Sequence, residues 1–204
     1  MDLMGLLQGQ LSEGMLDQLS QQIGSEDKHQ TAAAASGIIS TLMSGLAKNA
    51  SSQEGASALS NALDRDHDGS ILDDMMGMLS GNTQPNNSSM LNGTGILNHV
   101  LGNKTNGAVS MISQMSGLDS SKTGNLMSLL APVVMGALGK TKKEQGLDIA
   151  GIASLLSGTM SQQSNQDPAM SLITKFLDSD GDGSIIDDVA GIGMKLLGGL
   201  FGRK

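Results

Sequence analysis

The sequence predicts an all-α protein. Apolar residues recur every three to four positions along most of the chain, which is the spacing of helices that bury one face. Two clear instances are Leu11, Met15, Leu16 and Leu19, and Ile38, Leu42, Met43 and Leu46. The alanine run at residues 32–35 adds high helix propensity. No stretch alternates β-branched and polar residues between hairpin turns, as strands would. Helices are therefore the only regular elements we expect.

The composition narrows the functional classes. The 204-residue chain has two aromatic residues, Phe176 and Phe201, and no cysteine. Aliphatic residues and methionine must then build the core, and base-stacking nucleic-acid modules, disulfides and thiolate metal sites are excluded. The net charge of −8 repels phosphate backbones and anionic membrane surfaces. We therefore expect no nucleic-acid partner, and a cation is the more natural one.

The chain is predicted to consist of two helical halves, residues 1–80 and 96–204, joined by a linker at 81–95 that is rich in Asn, Gly and Ser. Residues 19–24 (LSQQIG) in the first half correspond to residues 112–117 (ISQMSG) in the second. Each motif precedes a long apolar helix, and a further glycine-containing helix then leads into an aspartate-rich loop. Both halves thus share the order helix, helix, helix, loop, helix.

Small residues occur where these helices are expected to touch, at Gly37, Gly45, Gly136 and Gly139. An interior glycine costs about 1 kcal/mol of helix propensity relative to alanine, and close approach of two backbones is the expected compensation. Dimerisation of membrane helices is a weaker explanation, because these segments are short and carry Ser, Asn and Lys.

The two aspartate loops carry the strongest functional signal. Residues 64–74 (DRDHDGSILDD) and 178–188 (DSDGDGSIIDD) together contain ten of the 20 acidic residues. Carboxylates two residues apart repel one another unless a cation neutralises them. The spacing matches the first half of an EF-hand loop, with oxygen ligands at positions 1, 3 and 5, Gly at 6 and a backbone carbonyl at 7. The alternative is an Asx-rich turn that binds nothing, but the duplication favours a metal.

The second half of each loop departs from the EF-hand pattern, because position 12 holds Met75 or Val189 instead of Glu. The closing carboxylate must come from position 10 or 11, and we favour position 11. The loops resemble the broader class of DxDxDG calcium loops, including dockerin-type ones, more than a calmodulin-type EF-hand. The predicted ligands of Ca²⁺, with Mg²⁺ as the alternative ion, are Asp64, Asp66, Asp68, Ser70 and Asp74, and Asp178, Asp180, Asp182, Ser184 and Asp188.

No enzymatic function is predicted. His29, His67 and His99 have no zinc-binding spacing, and nucleophile-elbow, P-loop and dinucleotide-binding motifs are absent from the sequence.

The glycine-rich, apolar segment 189–204 is either an interfacial membrane helix or the helix that follows the second loop, and we favour the latter. No apolar stretch is long enough for a transmembrane span, and no signal peptide is evident. We expect a cytoplasmic protein, with an extracytoplasmic location as the alternative.

Residues 96–102 (ILNHVLG), 112–119 (ISQMSGLD) and 130–140 (LAPVVMGALGK) resemble the YidB-like bacterial family of uncharacterised proteins. Residues 11–14 and 55–59 bracket a looser resemblance in the first half. The resemblance implies an all-helical, Gly- and Met-rich fold, and it supplies no catalytic residues. We therefore expect a non-enzymatic protein that binds divalent metal and has a structural or interaction role, with a homo-oligomer or another protein as partner. The alternative is a membrane-associated helical protein that acts through residues 189–204.

Overall fold

The computed structural model describes residues 12–66 and 92–164. Within these ranges the chain forms α-helices and one 3-10 turn, Gly102–Lys104, and contains no β-strand, which confirms the predicted all-α class. The helices are α1 (Glu13–Ile23), α2 (Lys28–Ala50), α3 (Gln53–Asp66), α4 (Gly93–Val100), α5 (Thr105–Ser116), α6 (Ser120–Gln145) and α7 (Ile149–Ser164).

Helix α2 lies at the centre of the described fold and contacts every other α-helix there. Its residues 38–46 are buried without interruption. A helix surrounded in this way needs apolar or small residues on all faces, which the mixture of Ile, Leu, Met, Ser and Gly in this segment provides. The buried hydroxyl of Thr41 donates to the carbonyl oxygen of Gly37 at 2.7 Å, so this polar group is satisfied inside the helix.

Helix α6 is the second buried helix, and its residues 130–139 are also buried without interruption. It contacts α2 and also α1, α3, α4 and α5. Pro132 lies inside this helix. Because proline has no backbone N–H, it cannot donate the usual helical hydrogen bond to the carbonyl of Ser128.

Glycine permits the close approach of α4 to α2. A Cβ atom at Gly45 would lie 2.8 Å from Cγ1 of Val100 and 2.9 Å from Cδ2 of Leu101. At Gly37 the same atom would meet side-chain carbons of Ile112 at 3.5 Å, which is an ordinary packing distance. The close packing predicted from the sequence is therefore present at Gly45, whereas Gly37 has room for a methyl group.

The connections before the two buried helices are built alike. Helices α1 and α5 end at Gly24 and Gly117, whose φ angles of +66° and +75° are left-handed. Asp27 and Asp119 then cap α2 and α6, each carboxylate accepting two backbone N–H groups of the first turn at 2.8 to 3.3 Å. The turn, the cap and the helix that follows thus recur in the same order.

The two predicted halves are interleaved in the described structure. Helices α1–α3 and α5–α7 follow the same order, but α7 packs on α2 and α3, and α1 contacts α6. One hydrophobic core contains residues from both halves. Helix α4 begins at Gly93, so the last residues of the segment predicted as a linker, 93–95, are helical. The equivalence of the two halves as superimposable copies stays a prediction.

Candidate functional site

The first predicted metal loop begins at the C-terminal end of α3. Asp64 lies in the last turn of this helix, and Asp66 is its last residue. The carboxylate of Asp64 is 66% exposed and forms an ion pair with Nζ of Lys142 in α6. The other predicted ligands lie outside the described residues: Asp68, Ser70, Asp74, Asp178, Asp180, Asp182, Ser184 and Asp188.

Lys142 links the ends of α3 and α6. Its side chain is only 11% exposed, and its ammonium also donates to the carbonyl oxygen of Ser60 at 3.2 Å. Ser60 and Asp64 are four residues apart, so they occupy adjacent turns on one face of α3. The ammonium of Lys142 thus contacts a carbonyl within α3, and its positive charge near the C-terminal end of this helix opposes the negative end of the helix dipole.

A small cleft of about 350 Å³ surrounds this ion pair. Its lining combines Leu63 and Asp64 of α3 with Gly139, Lys142 and Lys143 of α6 and with Gly146 and Leu147, which follow α6. In the ranges 12–66 and 92–164, no three histidine or acidic side chains gather around a common point. A divalent cation at the end of α3 would therefore need donors from beyond Asp66.

A larger groove of about 800 Å³ lies between α3, α4 and the C-terminal end of α2. Its apolar lining comes from three helices and one residue of α6: Leu46, Ala58, Leu59, Ala62, Ile96, Val100 and Met135. This groove was not predicted from the sequence, although residues 55, 59 and 62 and residues 96 and 99 have the spacing of helical stripes.

Three polar side chains of this groove, those of Asn49, Ser52 and Asn92, form hydrogen bonds with the backbone. The amide of Asn49 donates to the carbonyl oxygens of His99 and Val100, both at 3.3 Å, at the end of α4. Ser52 accepts a hydrogen bond from the N–H of Gly55 at 3.1 Å. Asn92 caps α4 by accepting from the N–H of Gly95 at 2.9 Å. These three groups lie at helix ends, and Lys48, Glu54 and His99 add charged and polar side chains to an otherwise apolar lining.

Two of the three histidines lie within the described residues. His29 and His99 are exposed, whereas His67 lies outside the described residues. His99 contributes its backbone carbonyl to the contact with Asn49.

Comparison with known proteins places the chain in one family. The sequence model of a bacterial family described as "Bacterial protein of unknown function (DUF937)" matches residues 5–141. This match spans α1 to α5 and most of α6, and it runs through the predicted linker and the first aspartate loop. No curated protein and no solved structure matches the chain. Since the match covers more than half of the sequence, the chain belongs to this bacterial family, whose function is unknown.

Proposed function

We propose that this chain is a non-enzymatic helical protein that binds a divalent cation, Ca²⁺ or Mg²⁺, at each of two aspartate loops, 64–74 and 178–188. The observation that carries the proposal is the duplication of an eleven-residue motif with the same carboxylate spacing, the same Gly-Ser-Ile centre and the same Asp-Asp end. Acidic residues scattered over a surface would not repeat this spacing of carboxylates. A loop that surrounds a hard cation with oxygen ligands requires it.

The electrostatics at the end of α3 support the proposal. A helix C-terminus carries partial negative charge, so the carboxylate of Asp64 lies at the unfavourable end of α3, of which Asp66 is the last residue. Three further acidic residues follow before Met75. Lys142 compensates part of this charge through Asp64. A divalent cation would compensate more, and two such cations would bring the formal net charge from −8 to −4.

Within its family, we propose that the chain belongs with the YidB-like members. The segments that carry this resemblance form α4, the α5–α6 turn with its cap Asp119, and the buried centre of α6. These residues pack and terminate helices, so the resemblance concerns the scaffold. It supports a structural or interaction role, for which the apolar groove supplies a contact surface for a second copy or another protein.

The membrane-associated alternative rests on residues 189–204, which lie outside the described residues. In the described helices, none combines the length and apolarity that a bilayer crossing demands. Co-sedimentation with anionic liposomes distinguishes the two functions: binding that is lost on removing residues 189–204 would favour the membrane function. Localisation bears on the choice of ion, because low free Ca²⁺ in a cytoplasm would leave sites of micromolar or weaker affinity to Mg²⁺.

Calorimetric titration of the chelator-treated chain with Ca²⁺ and with Mg²⁺ tests the metal proposal. We expect two binding events that disappear in the double variant Asp68→Ala plus Asp182→Ala. The control is Glu26→Gln plus Glu144→Gln, which removes the same charge from two exposed positions on described helices or turns. Ligand at one hundred times Kd should raise the free energy of unfolding by about 2.7 kcal/mol per site. If neither ion produces heat and the melting temperature stays unchanged, the loops are turns that end helices and bind no divalent cation.

A further inference from the structure

The apolar groove lies between two helices that meet at Asn49. The side-chain amide of Asn49 donates to the carbonyl oxygens of His99 and Val100 at the end of α4. A Cβ atom on Gly55, in the first turn of α3, would lie 1.9 Å from the carbonyl oxygen of Asn49. Helix α3 thus begins, and helix α4 ends, at the same junction. Both helices line the groove from there, so Asn49 marks one of its ends.

The walls of the groove are aliphatic. From Gly55 to Ala62 the wall formed by α3 extends for about 10 Å, since each helical residue adds a fixed rise. Its apolar lining consists of Leu, Ile, Val, Ala and Met, and its volume of about 800 Å³ falls in the range of small-molecule sites. Aliphatic side chains offer no hydrogen bonds to replace those that a sugar or nucleobase would lose on leaving water. An alkyl chain has no such bonds to lose, so it suits these walls.

Two oppositely charged side chains line the end of the groove at Asn49. Lys48 lies in the last turn of α2 and Glu54 in the first turn of α3, and both are exposed. The ammonium of Lys48 has three N–H donors, so it can bind a phosphate oxygen beside the interaction that this residue has within the chain. The carboxylate of Glu54 attracts a cationic group.

A head group that carries both signs complements this pair, whereas a head group of one sign would meet one like charge. A zwitterion also has no net charge, so the net charge of −8 on the chain does not repel it. The charged end and the aliphatic walls together fit a ligand with one alkyl chain and a dipolar head group.

We propose that the groove binds a free zwitterionic amphiphile with one alkyl chain and a head group of phosphate and ammonium, which is the chemistry of a lysophospholipid. The alkyl chain lies between α3 and α4, the phosphate pairs with Lys48, and the ammonium pairs with Glu54. This site goes beyond the proposed function and does not depend on the binding of divalent cations.

Calorimetric titration of the full chain with three dodecyl probes below their micelle concentrations tests the alkyl site. Dodecylphosphocholine should bind more tightly than dodecanoate or dodecyltrimethylammonium. Ala58→Phe should weaken its binding at least about tenfold, because the ring would occupy the groove from an exposed position of α3. Ala33→Phe is the matched control, since it adds the same ring at an exposed position of α2 that does not line the groove. This control should leave Kd unchanged.

Charge variants at exposed positions test the head group without altering the packing of the core. Lys48→Met and Glu54→Gln should each weaken binding of dodecylphosphocholine about threefold, the effect of one exposed ion pair. Lys48→Met should also favour dodecyltrimethylammonium over dodecanoate, and Glu54→Gln should favour dodecanoate. Lys140→Met and Glu26→Gln are the controls, because neither residue lines the groove. They should leave the order of the three probes unchanged.

Three results would overturn the proposal. The first is that the unmodified chain binds none of the three probes. The second is that Ala58→Phe binds dodecylphosphocholine as tightly as Ala33→Phe. The third is that Lys48→Met and Glu54→Gln fail to shift the head-group preference in opposite directions. If Ala58→Phe instead abolishes self-association in sedimentation equilibrium and leaves probe binding unchanged, the groove is a contact between copies of the chain and the amphiphile site is wrong.

Discussion

The α-carbon of Gly93, in the first turn of α4, faces the backbone carbonyl of Ser128 in α6. A Cβ atom at Gly93 would lie 1.7 Å from that oxygen, so the residue has no room for any side chain. Ser128 is also four residues before Pro132, which cannot donate a helical hydrogen bond to it. The two helices therefore meet where α6 carries a carbonyl without its usual helical donor, and glycine allows the backbone of α4 to reach it.

Gly93→Ala should consequently destabilise the protein by at least about 2 kcal/mol, because backbone atoms must separate to admit the methyl group. Gly158→Ala is the control, since a Cβ atom at this exposed helical position meets nothing within 4 Å. Better helix propensity should raise the stability of this second variant by up to about 1 kcal/mol. Urea unfolding followed by circular dichroism measures both, and equal midpoints for the two variants would contradict the proposed close contact.

Two glycines of α2 should respond in opposite directions to the same substitution. At Gly45 an added methyl would be 2.8 to 2.9 Å from side-chain carbons of Val100 and Leu101 and 3.2 Å from the Val100 carbonyl oxygen. Overpacking of this kind costs roughly 1 to 3 kcal/mol. At Gly37 the added methyl would make ordinary contacts with Ile112 at 3.5 and 3.6 Å, so Gly37→Ala should be neutral or stabilising by up to about 1 kcal/mol. Thermal melts of the two variants check the prediction, and a loss of stability for Gly37→Ala comparable to that of Gly45→Ala would refute it.

Local sequence patterns were sufficient to predict the fold class and the main helices. The apolar spacing of Met15, Leu16 and Leu19 falls in α1, and that of residues 38–46 falls in the buried part of α2. The start of α4 was harder to place, because Gly-Thr-Gly has the composition of a loop. The cap formed by Asn92 and the contact with Ser128 allow this segment to be helical. The contact with Ser128 joins residues far apart in the chain, so it leaves no trace in the spacing of apolar residues from which a helix is predicted.

The candidate site, like the fold, could be predicted only in part from the sequence. The spacing of the aspartates could be read from the sequence, and it motivates the metal proposal. The ion pair of Asp64 with Lys142 joins residues far apart in the chain. In the sequence, Lys142 is one of several charged residues near the end of α6, and nothing distinguishes it from a solvent-exposed lysine. The apolar groove likewise combines α2, α3 and α4 with Met135, so only the packing of the helices reveals it.

The N-terminal caps of the two buried helices should contribute similarly to the free energy of unfolding. Asp27→Ala and Asp119→Ala each remove a carboxylate that accepts two backbone N–H groups, and each should cost about 1 kcal/mol. Asparagine at either position should restore most of the loss, because its side-chain oxygen still accepts these hydrogen bonds. Asp17→Ala is a suitable control: it breaks only an exposed ion pair with Lys28 and should change the stability by less than about 0.5 kcal/mol. Chemical denaturation measures all of these variants, and caps no more costly than Asp17→Ala would contradict this prediction.

The side chain of Asn49 connects the C-terminal ends of α2 and α4 by hydrogen bonds. We expect this contact to depend on its amide N–H donors. The amide nitrogen donates to the carbonyl oxygens of His99 and Val100 at 3.3 Å. Asn49→Ala should cost about 1 kcal/mol, the usual net value of a hydrogen bond. Asn49→Asp should cost more, roughly 2 to 3 kcal/mol, because an acceptor of nearly the same shape would face two carbonyl oxygens and add negative charge at a helix C-terminus.

The same change at an exposed position separates this effect from added charge alone. Asn61 is exposed on α3, and Asn61→Asp should alter the free energy of unfolding by less than about 0.5 kcal/mol. Hydrogen exchange gives the regional readout, since weakening the Asn49 contact should speed exchange of the α4 amides more than that of the buried α6 amides. Equal stability of Asn49→Asp and Asn61→Asp, with unchanged exchange in α4, would show that this junction does not depend on the amide donor.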